Sequence, residues 1–127
     1  MKKLLGILVL SLFFSSSAYA EWTRISKTSM GDTYYVDFEN IKIEGKLIYF
    51  WELMDYGKPN KDGELSHKIF LILDCNTYST KPLQFIFYEG RKGSGKFDSQ
   101  KSLINEWEPL PPDSVGFIAA KKLCKKI

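Results

Sequence analysis

The sequence is poor in the residues that build metal and nucleophilic sites. Its 127 residues contain one histidine, His67, and two cysteines, Cys75 and Cys124, whose separation is far from Cys-x-x-Cys spacing. A zinc site needs more ligands than these three side chains supply, and a redox pair usually has the short spacing. A nucleophile paired with the histidine is disfavoured, because His67 stands at the edge of a predicted strand beside Ser66, and adjacent strand residues point to opposite faces. The sequence predicts no catalytic set, no metal and no cofactor.

A hydrophobic run long enough to span a membrane is also missing. The N-terminal run, residues 4–14, has eleven uncharged residues, which as a helix would cover about half of a bilayer core. Two lysines precede it, and Ala18-Tyr19-Ala20 follows with the small residues that signal peptidase needs. We therefore expect residues 1–20 to be a cleaved signal peptide rather than a membrane anchor. The mature domain, residues 21–127, would be exported and would contain no membrane span.

The predicted mature chain has almost no net charge. Without the signal peptide the formal charge is +1, which argues against a dedicated nucleic-acid binder. The charges are nevertheless unevenly spread, since residues 91–127 hold 8 basic and 4 acidic side chains. Six cations in this third are candidate partner-binding residues: Arg91, Lys92, Lys96, Lys121, Lys122 and Lys125.

Export would place the two cysteines in an oxidising compartment. Two thiols in a small exported domain more often pair than stay reduced, so we expect a Cys75–Cys124 disulfide. The alternatives are a redox pair or a metal site. The disulfide would close a large loop and would therefore contribute strongly to stability.

Most of the mature chain is predicted to form β-strands. Short β-branched and aromatic runs separated by turn residues predict strands at 22–27, 33–37, 41–44, 47–56, 67–75 and 83–88. Alternation in the strand 67–75 places Ile69, Leu71, Leu73 and Cys75 on one face, which points toward a core. In the strand 83–88 it places Leu83, Phe85 and Phe87 on one face. The opposite face is unusually apolar. Its residues form a candidate dimer face: Phe70, Ile72, Ile86 and Tyr88.

One helix is predicted, at the C-terminus. Prolines and Ser114 precede residues 115–126, where apolar residues recur at helical spacing and lysines fill the last turns. The predicted fold is therefore α+β, with a single antiparallel sheet of about six strands. Its C-terminal helix would pack on one face and be tethered there by the disulfide.

Two motifs that suggest chemistry have simpler interpretations. Residues 90–96, GRKGSGK, have the glycine and lysine spacing of a phosphate-binding loop, but Phe97 stands where Ser or Thr is required and no helical pattern follows. A glycine-rich hairpin loop with exposed basic residues is expected instead. The carboxylate pairs Glu52 with Asp55 and Glu106 with Glu108 fit strand edges and loops better than a glycosidase-like site.

Taken in order, these features resemble the surface-adhesin protein E-like domain of Gram-negative bacteria. The matching pieces span nearly the whole mature chain: Tyr34-Tyr35-Val36-Asp37, Trp51, Asp55-Tyr56, Lys58-Pro59, Cys75, Phe87-Tyr88, Trp107, Pro111-Pro112-Asp113-Ser114-Val115-Gly116 and Cys124. The resemblance implies an antiparallel sheet with a helix tethered by a disulfide. It also implies binding of host matrix or serum proteins, with vitronectin and laminin as candidate partners.

One feature departs from the family. Its named adhesins are lipid-anchored, whereas no cysteine follows the apolar run of this signal peptide, so the expected location is the periplasm or the medium, with surface display in question. We expect an exported, non-enzymatic adhesin-type binding module. The alternative is a periplasmic protein-binding or envelope-assembly module with no host target, and a small hydrolase is a more distant one.

Overall fold

Within residues 20–127, eight strands form one antiparallel sheet, and one helix follows them. The computed structural model describes residues 20–127, so the predicted signal peptide lies, except for Ala20, outside the described residues. The elements are β1 (Trp22–Lys27), β2 (Thr33–Asp37), β3 (Lys42–Glu44), β4 (Leu47–Asp55), β5 (Ser66–Asp74), β6 (Ser79–Tyr88), β7 (Phe97–Lys101), β8 (Glu108–Pro109) and α1 (Val115–Cys124). Six strands lie side by side in the order β1-β2-β4-β5-β6-β7, while β3 pairs with β4 and β8 with β6. The α+β prediction is confirmed.

The hydrophobic core lies between α1 and one face of the sheet. Even-numbered residues of β4 and odd-numbered residues of β5 share this face because strand side chains alternate. Ile48 and Leu73 are paired across β4 and β5, and both are completely buried. The helix contributes Ala119, Ala120 and Leu123 to the same cluster.

Both ends of α1 are fixed. At its start the Ser114 side chain accepts a hydrogen bond from the Phe117 amide at 3.1 Å, which satisfies one of the unpaired N–H groups of the first turn. At its end Cys124 forms the predicted disulfide with Cys75, directly after β5, with the two Cα atoms 5.8 Å apart. The helix is therefore attached to the sheet at the end where Asp74 pairs with Leu47.

The structure extends the sheet beyond the predicted strands. We expected 76–82 to be a polar linker, but β6 starts at Ser79 and carries Pro82 inside it. A bulge accommodates the proline, because Phe70 pairs with Gln84 and Leu71 with Pro82, which leaves Leu83 extra. Leu83 therefore borders a recess that Phe70 and Gln84 also line. Phe85 stays on the helix face, where it pairs with Ile69 of β5. Strand β7 is mostly polar and β8 is very short, so neither carries an alternating apolar pattern.

The disulfide that tethers the helix should stabilise the fold. Replacing Cys75 and Cys124 together by Ala opens a loop whose ends are 49 residues apart. The chain-entropy estimate for such a loop predicts a loss of about 4 kcal/mol in the free energy of unfolding, measured by denaturant titration. Intact mass and alkylation without reductant verify the bond in the starting protein. A loss below about 1 kcal/mol would show that the tether does not stabilise the fold in this way.

Candidate binding surface

The basic loop, residues 89–96, joins β6 to β7. Its ends are closed by a hydrogen bond from the Glu89 amide to the Lys96 carbonyl at 2.9 Å, and the Gly90 amide donates to the Ser94 carbonyl at 2.9 Å. Lys92 and Gly93 have left-handed backbone angles, with φ of 53° and 67°. Such angles favour glycine, so Lys92 adopts this conformation only where other contacts fix it. The strand β7 follows the loop, whereas a phosphate-binding loop is followed by a helix, so the structure agrees with the sequence interpretation of a hairpin loop.

Two buried polar side chains supply those contacts. Asp55 and Ser66 face each other at the ends of β4 and β5, with exposures of 8% and 0%. The Lys92 amide donates to Asp55 Oδ1 at 2.6 Å, and the Gly93 amide donates to Ser66 Oγ at 3.0 Å. Ser66 in turn donates to the Gly90 carbonyl at 2.6 Å. The loop backbone is therefore attached to the sheet at three points.

The cationic side chains of the loop project outward from this frame. Arg91, Lys92 and Lys96 are all exposed. Arg91 Nη1 donates to the Tyr56 carbonyl at 2.6 Å, and Lys92 Nζ lies 5.0 Å from the centre of the Tyr35 ring. A cation over an aromatic ring is held weakly but directionally. The basic loop thus presents its charges at defined positions beside the end of β4.

The lysines of the helix lie elsewhere. Lys121, Lys122 and Lys125 are exposed as expected, at the end of α1 that the disulfide fixes beside Asp74 and Leu47. The basic loop contacts the other end of β4, and eight residue steps of a strand span about 26 Å. It also lies over the face opposite the helix. The structure therefore does not bring the two groups of predicted cations together.

The candidate dimer face is partly covered within the chain. Ile72 and Tyr88 are each 8% exposed, whereas Phe70 and Ile86 are half-buried. The cover comes from aromatic and cationic neighbours. Trp51 lies 4.9 Å from the Phe70 ring, and the Lys68 ammonium group lies between the rings of Trp22 and Tyr88 at 5.6 and 5.2 Å.

The candidate acid, base and nucleophile residues do not form one cluster. His67 Nδ1 is hydrogen-bonded to the Tyr56 hydroxyl at 2.5 Å, and burial lowers the pKa of His67, which favours the neutral ring. Ser66 points to the opposite face and holds the basic loop. Glu52 lies on the helix face and accepts a hydrogen bond from Tyr34, whereas Asp55 faces the basic loop.

Within residues 20–127, no three His, Cys, Asp or Glu side chains lie close enough together to hold a metal ion. The same residues contain no helix with the length and apolar character needed to cross a bilayer.

The family profile of surface-adhesin protein E matches residues 22–125, which is nearly all of the described domain. The chain belongs to the surface-adhesin protein E family. The resemblance inferred from the ordered motifs is therefore confirmed, and β1 begins at the first matched residue.

Solved structures of protein E from Haemophilus influenzae share the fold. One crystal form gives a TM-score of 0.69 at 22% identity, covering 87% of this chain and 92% of that one. Protein E from a non-typeable Haemophilus influenzae gives a TM-score of 0.61 at 20% identity, with 87% and 79% covered. At such identities the likeness establishes the fold alone. Among curated proteins, none matches the sequence.

The anchors Asp55 and Ser66 were not predicted from the sequence. Each stands at the end of an apolar strand, where a polar residue usually faces solvent, and the loop that covers them comes from a third strand pair. The glycines of GRKGSGK predicted a mobile hairpin loop with exposed basic residues and gave no indication of the contacts that hold its backbone.

Removal of the Asp55 carboxylate tests this arrangement. Asp55→Ala leaves the Lys92 amide without its acceptor, and a buried hydrogen bond to a charged group is worth about 1.5–3 kcal/mol. We expect a loss of that size in the free energy of unfolding, with NMR shifts at Lys92 and Gly93. Asp62→Ala, at an exposed position, is the control. If both variants lose the same small amount, the carboxylate does not hold the loop.

Proposed function

We propose that this family member is an exported, non-enzymatic protein-binding module that mediates adhesion to host matrix or serum proteins. Membership of the surface-adhesin protein E family supports the class of function. The single structural observation that supports a contact surface is the basic loop, whose backbone is tied to Asp55 and Ser66 while its cations remain exposed.

Preorganisation makes this loop a better candidate than a freely moving one. A loop ordered only on binding loses conformational freedom at that step, and this loss reduces affinity. Here the Lys92 and Gly93 backbones are already fixed by buried acceptors. Binding through Arg91, Lys92 and Lys96 would therefore not require their backbone to become ordered, and the affinity would not be reduced by that step.

The position of the domain supports export. The first strand starts at Trp22, two residues after the proposed cleavage point, and the family match also starts there. Cleavage before Glu21 would thus release the whole sheet and helix intact. The disulfide within the domain is typical of proteins that fold in an oxidising compartment.

A periplasmic role without a host target is the second candidate. It is favoured by one observation, since no cysteine follows the apolar run of the signal peptide and lipid attachment there has no acceptor. Cell fractionation separates the two candidates. Protein confined to the periplasm would contradict adhesion, whereas protein in the medium or on the surface would contradict a purely periplasmic role.

Binding to vitronectin and laminin tests the proposed contact surface. Surface charges chiefly raise the association rate and are screened by salt, since the Debye length is about 8 Å at physiological ionic strength. We expect association with at least one of these partners to slow several-fold as salt rises. The triple variant Arg91→Ala, Lys92→Ala, Lys96→Ala should weaken binding by about tenfold.

The helix provides the matched control. Lys121→Ala, Lys122→Ala, Lys125→Ala makes the same change in net charge at the other end of the sheet. It should leave binding close to that of the wild type. Equal loss in both triple variants would show a net-charge effect, and loss only in the helix variant would move the contact surface to α1. Either result would overturn the assignment to the basic loop.

We also propose self-association through the candidate dimer face. Phe70 and Ile86 are half-buried on the face that lacks a helix, and the recess beside Phe70 extends to the edge strand β7. Ile86→Lys should shift sedimentation from dimer to monomer, whereas Ile43→Lys, at a residue 43% exposed on β3, should not. A wild-type protein that stays monomeric at all concentrations would contradict this proposal.

A further inference from the structure

A cavity of about 370 Å³ lies on the helix side of the sheet, away from the basic loop. Its apolar floor is formed by Ile69, Leu71 and Phe85, and its roof includes the small residues Gly116, Ala119 and Ala120 of α1. The opening is bordered by Ile104 and by the segment that carries β8, both exposed. This volume lies within the range of small-molecule pockets.

One polar group stands out in this setting. Glu52 of β4 lines the cavity, and among residues 20–127 its hydrogen-bond partner is the Tyr34 hydroxyl, which donates to Oε2. Burial raises the pKa of Glu52 to about 7, because the ionised carboxylate is poorly solvated there. A structural carboxylate of this kind would usually be paired with a cation, yet residues 20–127 supply none.

The charges around the cavity have a single sign. Its titratable lining groups are Glu52 and Tyr34, together with Glu108 at the opening, and no Lys, Arg or His from the described part of the chain lines it. The first turn of α1 also borders the cavity, but the Phe117 amide is already used by the Ser114 cap. An anionic ligand would therefore meet repulsion, whereas a cation would be attracted.

We propose that this cavity binds a small organic ammonium ion whose apolar body lies over Ile69, Leu71 and Phe85 and whose ammonium group meets Glu52. The ammonium would supply the missing counter-charge and donate hydrogen bonds to the carboxylate. The apolar chain would fill the remaining volume and exclude water from it. The site is distinct from the basic loop, so its occupancy does not depend on the adhesive function.

Three probes of the same length test the ligand class on the wild-type protein: hexylammonium, hexanol and hexanoate. Calorimetry and NMR shifts at Glu52 and Ala119 report binding. Hexylammonium should bind at least about tenfold more tightly than hexanol, and hexanoate should bind most weakly. Equal affinity for hexylammonium and hexanol, or no binding of any probe at millimolar concentration, would overturn the proposal.

Ionisation of Glu52 provides a second measurement. An alkylammonium stays protonated at both pH 5.5 and pH 8, whereas Glu52, with a pKa of about 7, is largely neutral at the lower pH. Affinity should therefore rise by about tenfold or more between these pH values. A pH-independent affinity would contradict the role given to Glu52.

Variants complete the test. Glu52→Gln should remove the preference for hexylammonium over hexanol and also the pH dependence, while keeping the shape of the cavity. Glu106→Gln, at an exposed carboxylate outside the lining, should change neither. Tyr34→Phe retains the carboxylate and should preserve binding of hexylammonium. Retention of the preference in a folded Glu52→Gln variant would overturn the proposal.

Discussion

A polar group that is removed from water inside a sheet must find a hydrogen-bond partner, and this requirement sets the conformation of the basic loop. Asp55 and Ser66 are both buried at paired positions. Their partners are backbone groups of residues 90–93, which lie more than twenty residues further along the chain. The exposed cations therefore depend on two side chains that no partner protein would touch.

The opposite end of the sheet is held by a covalent bond instead. Cys124 ties α1 to Cys75, and the helix covers the core face with Ala119, Ala120 and Leu123. The two groups of surface cations consequently belong to two differently stabilised ends of the domain. A single electrostatic contact surface would have to span both ends and both faces, so a partner of ordinary size would engage one group.

Local patterns predicted much of this fold. The helix, its Ser114 cap and the central strands follow from periodicity, capping and alternation, and the disulfide follows from export and cysteine count. Pro82 concealed the first half of β6, because a proline inside a central strand is acceptable only where a bulge removes the need for its N–H group. Strand β7 was missed because all five of its residues are exposed and most are polar.

The functional geometry was less accessible to sequence reasoning. The basic residues of the loop were recognised from their charge, but their anchors depend on contacts between distant segments that no local pattern encodes. The same holds for the Tyr34–Glu52 pair, whose partners are eighteen residues apart on different strands. The charge of a side chain is known from the sequence. Its burial, which determines the effect of that charge, is known only from the folded structure.

Amide hydrogen exchange tests the central claim most directly, because it reports on the backbone of the basic loop rather than on its exposed side chains. The Lys92 and Gly93 amides donate to buried acceptors, whereas within residues 20–127 the structure shows no backbone acceptor for the Gly95 amide. The account predicts that Lys92 and Gly93 exchange at least about 100-fold more slowly than Gly95, as expected for amides released only by local opening. Equal, rapid exchange of all three amides would contradict it.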